Sequence, residues 1–158
     1  MSKRVALFAG SFDPYTNGHH DIVRKAAAMF DEVVVMVGVN VGKKRAFDAE
    51  AMVAAIQAAI DADGLNARAV LYTGLVADYC AGHGIRWFVR GLRSQADYAY
   101  EENNAQVNRI LNPGLETVYL RSDAPAISSS MIRELMAFGR PVDDFVPEAV
   151  RGLLRREQ

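Results

Sequence analysis

An apolar run, Val5-Ala6-Leu7-Phe8-Ala9, leads into Gly10-Ser11-Phe12-Asp13-Pro14-Tyr15-Thr16-Asn17-Gly18-His19-His20-Asp21, and an amphipathic helical pattern follows as far as Phe30. A strand that enters a loop of small residues and leaves it as a helix is the building unit of an α/β sheet. The junction is also where such a sheet receives phosphate, because the first-turn amides of the helix have no intrahelical partner. Pro14 fixes its own φ and biases Asp13 toward an extended conformation, while Gly10 and Gly18 allow close backbone approach at the two ends of the turn. Asn17 is the expected helix cap. His19 then falls in the first turn on the stripe of Ile22, Ala26 and Phe30, and so starts on the inward side. An imidazole beside free amides can donate to an anionic oxygen; the alternative is a histidine that satisfies a buried carbonyl. His20 is expected to be exposed or to stand behind the site. Neither a Gly-rich Lys-Ser/Thr phosphate loop nor a dinucleotide fingerprint is present.

The same alternation continues down the chain. Strands are expected over Lys3–Ala9, Val33–Val39, Ala67–Tyr72, Ile85–Val89 and Leu115–Leu120. Helices are expected over Gly18–Phe30, from Asp48 to Ile60, over Leu75–Ala81, Gln95–Leu111 and Ser128–Phe138, with short helices carrying Phe145, Val146, Val150, Leu153 and Leu154 after them. Val33 to Val39 is apolar throughout, as a strand covered on both faces should be. Strands alternating with helices imply a doubly wound five-stranded parallel sheet with helices on both faces. Ligands bind such sheets at the C-terminal edge, near the switch in strand order. The loops after strands one, two, four and five hold Ser11 and His19, Lys43 and Lys44, Arg90 and Arg93, and Ser128 to Ser130. Four polar clusters thus fall on one edge of a sheet assigned from apolar pattern alone, which points to an anion site.

Composition narrows the class. The chain has 158 residues, 51% of them apolar, enough for one domain with a two-sided core. No stretch approaches the ~20 apolar residues of a membrane span. Cys80 is the single cysteine, so no disulfide framework exists and a reducing, cytoplasmic compartment is expected. Formal charge is −1, yet residues 1–47 carry seven Lys/Arg against four Asp/Glu, and residues 48–89 carry two against five. A local basic excess on a nearly neutral chain suits a small polyanion better than a nucleic-acid polymer. Cys80 and His83, three apart on a helix, do not make a metal site. Trp87, Phe88 and Tyr98 are expected to pack only.

Gly10-Ser11-Phe12-Asp13-Pro14 and Thr16-Asn17-Gly18-His19 resemble the signature of adenylyltransferases with a histidine-containing nucleotide motif. Val89-Arg90-Gly91-Leu92-Arg93 and Ile127-Ser128-Ser129-Ser130-Met131-Ile132-Arg133 extend the similarity, over nearly the whole chain, to the phosphopantetheine adenylyltransferase family. The resemblance implies a Rossmann-like nucleotidylyltransferase fold in a single domain, 1–158. It implies transfer of AMP from ATP to 4′-phosphopantetheine with Mg²⁺, a homohexamer, and coenzyme A as a feedback ligand. It places Gly10, Ser11, Phe12, His19, Arg93, Glu101, Ser128, Ser129 and Ser130 at ATP. Ser11, Lys43, Gly74, Leu75, Val76, Arg90 and Asn108 fall at phosphopantetheine, with His19, Lys43, Ser11 and Arg93 as the catalytic set. No protein metal ligand is implied. Asp97 and Glu101, four apart on one helix, are expected to orient the arginines.

Three positions depart from the family pattern: Ser11 where threonine is common, Gly74 where an acidic residue often precedes the leucine, and Asn104 where an apolar residue is usual. Other nucleotidylyltransferases, acting on nicotinate mononucleotide or a cytidylyl acceptor, share the first motif. A nucleotide-binding module without transfer activity and a purely structural subunit are the remaining alternatives, and the four-loop cluster argues against the last.

Overall fold

Val5–Gly10 (β1), Glu32–Gly38 (β2), Ala67–Tyr72 (β3), Trp87–Gly91 (β4) and Glu116–Leu120 (β5) form one parallel sheet in the order β3-β2-β1-β4-β5. The computed structural model describes residues 2–124 and 127–156. The helices among them are Asn17–Met29 (α1), Ala49–Ala62 (α2), Val76–His83 (α3), Gln95–Leu111 (α4), Ser129–Ala137 (α5) and Glu148–Arg156 (α6), with a 3₁₀ turn at Asp143–Phe145. The chain winds outward from β1 through β2 to β3, then returns to the other side of β1 for β4 and β5. The switch in strand order therefore lies between β1 and β4, which pair through Ala6–Trp87, Leu7–Phe88 and Phe8–Val89.

Alternation along the central strands builds two cores. Ala6, Phe8, Val33, Val35 and Val37 face α1, α2, α5 and α6, meeting Ile22, Met52, Ile56, Ile132, Val150 and Leu154. Leu7, Ala9, Val34 and Met36 face the other way, toward Tyr79 and Cys80 of α3 and toward Ile85, Phe88 and Leu115. β2 is buried from Val33 to Val37, which is why its sequence shows no polar alternation. Helices thus cover both faces, as the pattern requires.

Asp48 caps α2 through Ala51 N–H, Ser94 caps α4 through Asp97 N–H, and Ser128 caps α5 through Met131 N–H. The cap of α1 differs from expectation. Thr16, not Asn17, holds that position, and its hydroxyl accepts from His19 N–H while the His19 ring accepts in return from Thr16 N–H. This is a capping box with histidine in the place usually taken by glutamate. Asn17 instead donates from Nδ2 to Asp144 O. β4 starts at Trp87 rather than Ile85, which packs in the second core.

Candidate active site

The loop between β1 and α1 is held from two distant segments, the β2–α2 loop and α5. The Asp13 carboxylate accepts from the amides of Ala46 and Phe47, at 2.8 and 2.9 Å. Arg45 donates to Ser11 O and Phe12 O, and Arg133 donates to Asp13 O. Ser129 Oγ donates to Pro14 O at 2.7 Å. These bonds stabilise a strained turn, in which Phe12 has φ +45°, a region costly for a bulky residue. A Cβ on Gly10 would lie 3.0 Å from the Phe12 ring, which would have to give way by a few tenths of an ångström.

The loop forms one wall of a cavity of about 530 Å³ over the β1/β4 switch. Gly10, Ser11, Phe12, Gly18 and His19 line one side, Arg90 to Arg93 with Asp97 and Glu101 the second, and Arg121, Ser122 and Ser128 to Ser130 the third. A second cavity, about 370 Å³, opens on the far side of Arg90 and Glu101, which line both. Its walls mix Leu75, Val76, Phe88 and Val107 with the amides of Asn104 and Asn108 and the hydroxyl of Thr117. Gly74 stands at its rim, where a Cβ would come within 2.7 Å of the Tyr72 hydroxyl.

His19 is half-buried in the first cavity, with the Phe12 ring edge-on at 4.9 Å and Tyr15 stacked at 5.8 Å. Thr16 N–H reaches its Nδ1 at 3.0 Å, so Nδ1 is the acceptor and the neutral ring carries its proton on Nε2. Burial, then the positive potentials of Arg90 and Arg93, pull its pKa down to about 3. All three causes oppose adding a proton. In the free protein the ring is therefore a neutral donor from pH 8 to below pH 5. A titration followed by NMR should show the His19 carbon-bound ring protons flat across that range; a midpoint near the ordinary 6.5 would contradict this.

Arg90 and Glu101 form a two-point pair, Nε to Oε2 at 2.8 Å and Nη2 to Oε1 at 2.9 Å, while Arg90 Nη1 donates to Ala9 O at 2.6 Å. Three of five guanidinium N–H groups are thereby used, which fixes the group's plane and leaves two for a ligand. Arg93 pairs with Asp97 through Nε at 3.3 Å. Arg90 in β4 and Arg93 in the loop after it thus each have a carboxylate on α4, the two spaced one helical turn apart. Glu101 faces the first cavity chiefly through this pairing.

The serines at α5 are more committed than their composition implies. Ser128 Oγ accepts from Met131 N–H and lies 3.0 Å from Ser130 Oγ, while Ser129 braces Pro14. The groups left to meet a phosphate there are the first-turn amides, together with the remaining capacity of the hydroxyls. Lys43 is exposed on the loop after β2 and lines neither cavity. Ser11, His19, Arg93 and Ser129 do share one.

The cytidylyltransferase-like family profile matches residues 7–135, which includes every wall of the first cavity. Phosphopantetheine adenylyltransferases are similar over nearly full length. The Porphyromonas gingivalis protein is 45% identical, with 94% of this chain and 97% of that one covered. That of Latilactobacillus sakei is 41% identical, covering 99% and 96%. The chain belongs to the phosphopantetheine adenylyltransferase family. Among solved structures, a Vibrio parahaemolyticus chain assigned as a nicotinate-nucleotide adenylyltransferase superposes with a TM-score of 0.74 at 18% identity, over 98% of this chain and 93% of that one, a likeness of fold.

Within this member of the phosphopantetheine adenylyltransferase family, several cavity residues escaped sequence reasoning. Arg121 directly follows β5, and an arginine leaving an apolar strand was the available signal. Phe88, expected only to pack, also walls the second cavity, and Thr117 faces it from β5. Arg45, next to Lys43 and Lys44 in sequence, ties the β2–α2 loop to the β1–α1 loop. His20 is buried, not exposed. Cys80 is buried too, and burial pushes its thiol up to about 11, leaving it unreactive.

Proposed function

We infer that this chain catalyses the attack of the 4′-phosphopantetheine phosphate on the α-phosphorus of ATP, giving 3′-dephospho-coenzyme A and pyrophosphate. The observation that carries this reading is the meeting of two cavities at one guanidinium. The larger offers His19, Arg93 and the α5 first turn to a nucleotide's phosphates. The smaller offers apolar walls with two carboxamides to an arm that carries amides of its own. Arg90, between them, has two N–H groups free for the phosphate that joins the two reactants.

The attacking phosphate oxygen is already anionic, so no side chain needs to remove a proton. One P–O bond forms as the bond to pyrophosphate breaks. The barrier is electrostatic and entropic, and the chain meets it by fixing donors where charge develops. His19 donates from Nε2 and Ser11 from its hydroxyl toward the transferring phosphate. Arg93 and the amides of Ser129 and Ser130 receive the departing pyrophosphate. A neutral His19 stabilises charge without giving up its proton.

Among the described residues no cluster of three or more metal-ligating side chains occurs, and the cavity's two carboxylates are each paired with an arginine. This donor set suits Mg²⁺ carried on the nucleotide's phosphates and water, where it would neutralise phosphate charge. Lys43 stands at the same sheet edge, and we assign its ammonium to the attacking phosphate. Lys43→Ala should then lower kcat/KM at least tenfold, in line with loss of a charged donor; a change within about twofold would mark it as a solvated lysine.

The reading is tested by supplying ATP with 4′-phosphopantetheine, nicotinate mononucleotide or a cytidylyl acceptor, and following pyrophosphate together with the coupled product. Turnover is expected only with phosphopantetheine. Product with another acceptor, or ATP binding without product, would overturn it. Coenzyme A carries the same pantetheine arm and would compete for the smaller cavity. A homohexamer would cover the exposed Tyr98, Tyr100, Val107 and Ile110 of α4. The unpaired Cys80 agrees with a cytoplasmic setting, and no described helix is long and apolar enough to cross a membrane.

A further inference from the structure

Behind His19 a second polar chain runs from the core to the surface. Tyr15 is fully buried and lines neither cavity, and its hydroxyl lies 2.8 Å from His20 Nδ1. His20 Nε2 donates to Asp63 Oδ2 at 2.8 Å, and Arg24 donates to the same oxygen at 2.9 Å. Asp63 is the C-cap of α2, so the bond from His20 joins residues 43 apart in sequence. With Nε2–H given to the carboxylate, Nδ1 of a neutral imidazole accepts, and Tyr15 is the donor. Hydrogen bonds from His20 and Arg24 hold the Asp63 carboxyl below its usual range, and burial keeps the Tyr15 phenol protonated.

A phenylalanine at position 15 would fill the core equally well. The hydroxyl and its buried partner His20 need another reason, because each polar group taken inside is costly unless bonded. What the bonds fix is the Tyr15 ring, which lies between two adjacent histidines. His20 meets its edge at 5.7 Å, and His19 stacks on its face at 5.8 Å with 26° between planes. Among the described residues, the His19 ring is hydrogen-bonded only at Nδ1, by Thr16. The swing of the ring about that point, and so the aim of Nε2, is set by Phe12 and Tyr15. Hydrogen bonds weaken steeply with misalignment, so a modest tilt matters.

We propose that Tyr15, His20 and Asp63 form a positioning relay that holds the plane of the catalytic imidazole of His19 from behind the active site. The proposal rests on the role given to His19 above. Tyr15→Phe should lower kcat about fivefold to tenfold, the worth of one neutral hydrogen bond, with KM for both substrates within about twofold. The deciding comparison repeats Tyr15→Phe in a His19→Ala background, where the relay has nothing left to aim. There the further loss should be less than about twofold.

An equal loss in both backgrounds would make Tyr15 a structural residue and overturn the relay, as would unchanged turnover in the single variant. A His19→Ala enzyme of normal rate would instead remove the catalytic role of His19, and the relay with it. Asp63→Ala, at the half-exposed end where packing is not at stake, gives an independent reading. It should shift the His19 ring cross-peaks in the same direction as Tyr15→Phe, and unmoved peaks would count against the relay.

Discussion

His19→Ala is expected to lower kcat by roughly 10²–10³-fold, the usual loss when one preorganised donor is taken from a developing phosphate charge. KM for ATP should change little, because the triphosphate keeps Arg93 and the α5 amides. The geometry behind this is specific. The side chain is not free to choose its proton: Thr16 N–H occupies Nδ1, and the arginines with burial keep the ring uncharged. Alanine removes the Nε2 donor and also half of the α1 capping box, which costs about 1 kcal/mol of stability. Turnover must therefore be read on protein shown to be folded at the assay temperature. A rate within about threefold of normal on such protein would end the claim that His19 acts on the transition state.

Glu101→Ala should be the most damaging change for the fold and the site together. Glu101 is 8% exposed, and its carboxylate makes two of the three bonds that orient Arg90. Removing it leaves a guanidinium beside Phe88 and Ala9 O with its charge uncompensated, a situation that costs about 3 kcal/mol. Because Arg90 lines both cavities, kcat/KM should fall for ATP and for phosphopantetheine alike. Glu101→Gln, which keeps an acceptor but loses the charge, should be intermediate on both scales. A denaturation midpoint and both KM values unchanged in Glu101→Ala would show that Arg90 is held by something else.

The architecture followed from sequence because its signals are local. Asp48 before an apolar-periodic run, Asn112-Pro113-Gly114 after one, and the unbroken Val33–Val39 each report a boundary or a burial state without reference to the rest of the chain. β3 and α4 have the bounds their patterns imply. The site was visible to the extent that strand ends project their next residues onto one edge, which gathered Ser11, His19, Arg90, Arg93 and the α5 serines.

What remained hidden depends on contacts between segments far apart in sequence. Arg45 looks like its solvated neighbours until Ser11 O and Phe12 O are placed beside it, 34 and 33 residues away. His20 resembles a surface histidine until Asp63 is brought to it. Three consecutive serines suggest three phosphate hydroxyls, yet one caps α5 and one braces the opposite loop. Thr16 took the cap from Asn17 because His19, three residues on, completes a reciprocal pair that Asn17 has no partner for.

The central claim is a single direct displacement in which both reactants are held at once, one in each cavity, on either side of Arg90. The most direct test uses ATP with sulfur of one configuration at the α-phosphorus and reads the configuration of the dephospho-coenzyme A phosphorothioate formed. One in-line attack by phosphopantetheine predicts inversion at that phosphorus. Retention would require two displacements and a covalent adenylyl-protein intermediate, for which the account has no place.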